Sequence, residues 1–113
     1  MAKIAFWITA GPDQAPKALS GLRLAERLKT RRGEDVKVYL FGPGVALGEG
    51  KIPEIKAVLD DLRAGEVELQ ACPANVEQMG LDAAELEANG VGMRPAGEVL
   101  VELVDAGYQI VGI

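Results

Sequence analysis

Apolar and polar positions alternate between two periods along the chain. Residues 2–9, AKIAFWIT, form a near-continuous apolar run, which suits a strand covered on both faces. AGPD follows, where Asp13 is placed to cap a helix with Pro16 in its first turn. In that helix Leu19, Leu22 and Ala25 make one stripe with Leu28 beside it, and Gly33 is placed to stop it. Gly21 lowers helix propensity in its interior, a cost that close packing against a neighbour explains. Residues 35–42, DVKVYLFG, form the second strand, and the Gly-rich loop GPGVALGEG follows. Ile55, Val58, Leu59 and Leu62 then have the spacing of a buried helix stripe ended by Gly65.

The second half repeats this order with shorter elements. EVELQAC alternates Val67, Leu69 and Ala71 with polar residues, so this third strand is less fully covered than the first. A short helix runs from Pro73 towards Met79. Asp82 caps another, with Glu85 at capping-box spacing. GVGMRP is a short fourth strand, Val99, Leu100, Leu103 and Val104 mark a further helix, and YQIVGI is a fifth strand. Regular β-α alternation predicts a parallel sheet with helices on both faces, in one domain over residues 1–113. Right-handed crossovers then gather four loops at one edge, after the carboxyl ends of the first four strands. Open α/β sheets bind ligands there.

Charge narrows the function classes. Net charge is −5 and the isoelectric point about 4.7, so the chain lacks the basic face that nucleic acid or an anionic membrane requires. The nearest basic run, KTRR at Lys29 to Arg32, sits at a helix end, where cations offset the macrodipole. IAFWITA is too short for a signal peptide, and a single Cys forms no intrachain disulfide, so the expected location is the cytoplasm. The chain has no histidine. That excludes a Ser-His-Asp triad, a Cys-His pair and a His-ligated metal, and no metal or organic cofactor is expected.

The one thiol, Cys72, stands where the third strand meets a helix. Two readings apply: a small buried hydrophobe, or a reactive thiol. A helix starting at Pro73 or Ala74 aims N–H groups at the sulfur and favours the thiolate. Arg94, on the neighbouring loop, adds positive charge. The GPGVALGEGK loop fails the Walker pattern, because Val45 and Ile52 stand where Gly and Ser or Thr belong. It reads as a tight strand-to-helix turn whose small residues also let a partner or small molecule approach Cys72. Gly42, Gly44, Asn75 and Arg94 are therefore the candidate substrate-binding positions. Phe6 and Trp7 read as core, Met79 and Met93 as gap fillers near the thiol, and Asp60-Asp61 as a solvated helix face.

VYLFGPGVAL, ACPANVEQMGL and GVGMRPAGEVLVELVDAGYQIVGI together resemble the DsrE/DsrF-like family of small sulfur-relay proteins, which includes TusD-type subunits. The resemblance spans nearly the whole chain, and its most specific piece is AC at a strand end, followed by a short helix and Gly80-Leu81. It implies a three-layer α/β/α fold with five parallel strands ordered 4-3-2-1-5, and oligomers, often trimers or hexamers. Cys72 matches the cysteine that carries sulfane sulfur as a persulfide and hands it to another thiol. Pro73 and Ala74 depart from the small polar or glycine turn of many relatives. The expected function is a sulfur carrier with donor and acceptor protein partners. The alternatives are an oligomeric scaffold with an inert Cys72, or a small-molecule-binding module using the loops after the first two strands.

Overall fold

The computed structural model describes residues 1–113. Five strands, β1 (Lys3–Ile8), β2 (Asp35–Leu40), β3 (Glu68–Ala71), β4 (Gly92–Met93) and β5 (Gln109–Gly112), alternate with five α-helices. These are α1 (Ala15–Arg32), α2 (Pro53–Ala64), α3 (Pro73–Gln78), α4 (Ala83–Ala88) and α5 (Ala96–Asp105). The strands form one parallel sheet in the order β4-β3-β2-β1-β5. Phe6 stands opposite Val38 on one side and Val111 on the other, and Val38 opposite Leu69.

The crossovers explain the layering. From β1 to β4 the chain steps across the sheet in one direction, so right-handed connections put α1 and α2 on one face. The step from β4 to β5 runs back past β1, which puts α5 on the other. On the first face Phe6, Ile8, Val38, Leu40 and Leu69 are buried in one cluster with Leu22, Leu59 and Leu62. Each such side chain contributes roughly 1.5–3 kcal/mol when fully withdrawn from water. The second face carries Ala5, Trp7, Lys37, Tyr39, Glu68 and Gln70, and α5 meets it through buried Val99 and Leu103. Lys37 and Gln70 remain half-buried and Glu68 exposed. The expected alternation in β3 follows from this thin cover. It also leaves Trp7 half-buried, where the sequence pattern read as core.

Several local readings shift. Asp13 does not cap α1; it lies in a 3-10 turn, Pro12–Gln14, and Gln14 precedes the helix without a side-chain cap. The buried stripe of α1 is Ala18, Gly21, Leu22 and Ala25, with Leu19 and Leu28 only half-buried. Small residues win this face because the helix lies close to the C-terminus: a Cβ on Gly21 would come within 2.8 Å of the Ile113 side chain. In α5, Val99 and Leu103 are buried, but Leu100 and Val104 are exposed. Asp82 does cap α4, accepting the Ala84 N–H at 3.0 Å.

The largest departure is the Gly-rich loop. Residues Gly42–Glu49 form a 3-10 helix whose residues Gly44 to Gly48 are buried. A run of this length is uncommon, because 3-10 side chains eclipse and hydrogen bonds are poor. Gly44 makes it possible: a Cβ there would lie 2.1 Å from the Ile8 carbonyl oxygen. The tight approach lets the segment fold back over the end of β1.

Gly44→Ala is therefore expected to lose about 1–3 kcal/mol or more through overpacking against backbone. Gly97→Ala is its control. No atom lies within 4 Å of the Gly97 Cβ position, in the first turn of α5, and replacing a helical glycine should stabilise by up to about 0.5 kcal/mol. Urea unfolding midpoints of both variants check this, and equal midpoints would contradict it.

Candidate functional site

Cys72 is the residue at which β3 becomes α3. Its N–H donates to the Leu40 carbonyl at 3.1 Å, extending the ladder by one bond. Its own carbonyl accepts the Val76 N–H at 3.1 Å, the first helical bond of α3. The backbone is still extended here, with φ −77° and ψ 113°. Pro73 then opens the helix, where its missing N–H costs nothing. The Ala74 and Asn75 amides are the first-turn donors that a helix of this kind leaves without helical acceptors. Cys72 is only 5% exposed and packs in the core cluster with Val76.

Asn75 secures this junction. Its Oδ1 accepts the Gly42 N–H at 2.9 Å, and its Nδ2 donates to Gln78 Oε1 at 3.1 Å. Gly42, at φ +56°, is the residue that turns β2 into the 3-10 helix. So Gly42, Asn75 and Cys72 meet at adjoining turns. Gly44 sits deeper, buried against the end of β1, with its N–H donating to the Phe41 carbonyl at 3.0 Å. The loop after β1 joins the same edge: Gly11 packs against Pro43, and the Thr9 and Ala10 N–H groups both donate to the Ile113 carbonyl. Met79 is exposed, whereas Met93 packs against the core.

Arg94 is divided between two surroundings. Its backbone N–H donates to the Ala71 carbonyl at 3.2 Å, which brings its main chain beside Cys72. Its guanidinium pairs with Glu102, at 2.8 Å, and with Glu98, both on α5. The Glu102 and Glu98 hydrogen bonds hold the Arg94 pKa above its ordinary value, and Arg94 in turn holds the Glu102 carboxyl below its own. Its positive charge is thus spent on α5 rather than left free for the thiol.

Tyr39 is the residue that sequence reasoning passed over. It is 2% exposed, and its hydroxyl donates to the Arg94 carbonyl at 2.7 Å. Its ring stacks on Trp7 with centroids 4.4 Å apart, and Phe41 packs on the other part of that indole. Burial raises the Tyr39 pKa well above the usual phenol value; the neighbouring Cys72 raises it further and Arg94 partly offsets the rise. The available signal was the alternation in DVKVYL, which sets Lys37 and Tyr39 on the face opposite Val36, Val38 and Leu40. No three carboxylate or thiol groups converge where they would share a metal ion.

The second tyrosine, Tyr108, donates to Asp35 Oδ2 at 2.7 Å. Burial, followed by that bond, pushes its pKa up to about 12. Both tyrosines of the chain are therefore raised. A raised phenol favours folding below the unfolded value of about 10, and that contribution is lost as pH climbs through the folded value. Native protein is expected to show no phenolate absorbance step near pH 10, while the urea-unfolded chain titrates both phenols there. A native step at the ordinary value would contradict the geometry at both hydroxyls.

The model of the DsrE/DsrF-like family matches residues 2–112. Solved structures share the architecture at low identity. The ychN protein from E. coli is 23% identical, with full coverage of both chains and a TM-score of 0.85. A conserved protein of unknown function from Bacteroides thetaiotaomicron is 19% identical, covering 96% of this chain and 94% of its own, at 0.79. A protein of unknown function from Methanobacterium thermoautotrophicum is 16% identical, with full coverage of both, at 0.73. No curated protein matches the chain.

Proposed function

Because the chain belongs to the DsrE/DsrF-like family, we propose that it is a sulfur carrier that holds sulfane sulfur on Cys72 and passes it to an acceptor thiol. The observation that carries this reading is the position of Cys72 at the β3–α3 junction, on the carboxyl edge of the sheet, ahead of the Ala74 and Asn75 amides. Arg94 is secondary, since its guanidinium already serves two glutamates.

The Cys72 thiolate attacks the outer sulfur of a donor persulfide. The donor's S–S bond breaks, its inner sulfur leaves with the electron pair as a thiolate, and Cys72 carries –SSH. An acceptor thiolate then attacks that outer sulfur and returns the Cys72 thiolate. The transfer needs no external oxidant or reductant. Cys72 is the chain's single cysteine, so no second thiol within it converts the persulfide to a disulfide. Such chemistry suits a reducing compartment, the cytoplasm. Because Cys72 is nearly buried, transfer requires local opening of the short α3 turn around Pro73. The same burial favours a second reading, an interaction subunit in which the thiol only packs.

Homo-oligomerisation, to a trimer or hexamer, is the other part of the proposal. It is supported by the outer side of α5, where Val101 is 60% and Val104 59% exposed beside exposed Leu100. The two-residue β4 also leaves a sheet edge that another chain can cover.

Native protein incubated with a sulfane-sulfur donor should gain one sulfur atom by intact mass, reversed by reductant and absent in Cys72→Ser. Native alkylation should be slower than in urea but measurable. Replacing Pro73-Ala74 with Gly-Gly loosens the turn that shields the sulfur and should speed it by about fivefold, the equivalent of roughly 1 kcal/mol of local stability. Arg94→Ala should change it less. A thiol that reacts only after unfolding selects the scaffold reading.

Light scattering at micromolar concentration should give a multiple of the 11.9 kDa chain mass. Val101→Glu with Val104→Glu should give the monomer; a wild-type monomer would refute association.

A further inference from the structure

The second face of the sheet holds a cleft that Cys72 does not line, although its Tyr39 wall adjoins the thiol. It has a volume of about 230 Å³ and lies between α5 and the strands β1 to β3. It exists because one helix covers this face, and because Ala5 on the floor and Ala106 at the rim leave space that larger side chains would fill. The inner walls are Val99 and Leu103 of α5, with Tyr39 and Tyr108 closing the sides. That space equals roughly seven or eight water molecules. It suits a molecule the size of a single amino acid, smaller than the usual drug-sized ligand.

The mouth has a different chemistry. Lys37 Nζ pairs with Glu68 Oε2 at 2.8 Å, and Arg94 Nη2 pairs with Glu102 Oε1 at 2.8 Å. All four residues line the cleft, so two cations and two carboxylates frame an apolar interior. Gln70 stands between them; its Nε2 makes one long bond to Glu68 Oε1 at 3.3 Å, and its carbonyl oxygen accepts none from the protein. A ligand with net charge must displace one carboxylate or one cation and leave it without a partner. A zwitterion exchanges into both pairs and keeps every charge matched. These side chains are 29–58% exposed, so the advantage over a singly charged ligand is that of a surface ion pair, at most about fivefold, or about 1 kcal/mol.

We infer that this cleft is a binding site for a small zwitterion with an apolar side group, whose body lies between α5 and the sheet and whose charged head engages the Lys37–Glu68 and Arg94–Glu102 pairs. The inference does not rest on the sulfur-carrier reading, and Tyr39 and Arg94 are shared between the cleft and the surroundings of Cys72. It also differs from the loops after β1 and β2, where the sequence pattern placed a small-molecule site. Tyr39 connects it to an optical signal, because its ring stacks on Trp7, the chain's single tryptophan.

The probes are L-phenylalanine, 3-phenylpropionate, which keeps only the negative charge, and phenethylamine, which keeps only the positive one. Trp7 emission should change saturably with L-phenylalanine, with a Kd at or below about 1 mM. Each singly charged analogue should bind more weakly, by up to about fivefold, because it leaves one ion of an exposed pair unmatched. Ala106→Phe places a ring at the exposed rim of the cleft and should abolish the response. Its unfolding curve, compared with wild type, establishes that the fold is kept. Gln70→Leu, also outside the core, should weaken L-phenylalanine binding and provides a second variant. No saturable response at about 10 mM, equal binding of all three probes, or an undiminished response in Ala106→Phe would each overturn the site.

Discussion

Right-handed crossover is the constraint from which the rest of this molecule follows. Three steps in one direction across the sheet stack α1 and α2 on one face. The single reversed step to β5 leaves α5 as the main cover of the other. Both places of chemical interest arise from that asymmetry. Every strand ends on the same edge, so Cys72, Gly42 and Asn75 converge. The thinly covered face retains polar side chains on β2 and β3, and the space beneath α5 opens among them.

Packing at the carboxyl edge is unusually close, and it is mostly backbone on backbone. Gly44 against the Ile8 carbonyl and Gly11 against Pro43 draw the loops after β1 and β2 together. The Asn75–Gly42 hydrogen bond then locks the start of α3 to the start of the 3-10 helix. Cys72 is buried as a consequence of this compaction, not because its own surroundings are purely apolar. Its neighbours include a phenol whose proton is held by a carbonyl. A thiol at such a place is shielded until the six-residue α3 moves, and that helix is anchored in the core through Val76. Access to the sulfur and the local stability of this turn are therefore one physical quantity.

Electrostatics divides along the same lines. Arg94 links β4 to α5 through its main chain and its guanidinium at once. Its carbonyl holds Tyr39 and its side chain holds Glu98 and Glu102. The residue thus helps frame the cleft, while its carbonyl holds the Tyr39 phenol beside Cys72.

Much of the fold is legible in the chain itself. Apolar runs and helix stripes separate by period, and strict β-α alternation leaves few topologies, so the parallel sheet, the position of Cys72 and the stripe Ile55, Val58, Leu59 and Leu62 follow from local pattern. The order of the strands came through resemblance to a family, and the sheet has that order. What the pattern does not contain is distance between segments far apart in the chain. GPGVALGEG reads as a loop because glycine normally breaks helices; only the approach of Ile8 reveals that Gly44 is needed to bury a 3-10 helix. Arg94 reads as a free charge until α5 brings Glu98 and Glu102 to it. Tyr39 reads as one more residue in a strand until Arg94 and Cys72 arrive beside it. Local periodicity records which face each residue takes within its own element. Which partner occupies that face is set by the meeting of elements, and only the tertiary structure decides it.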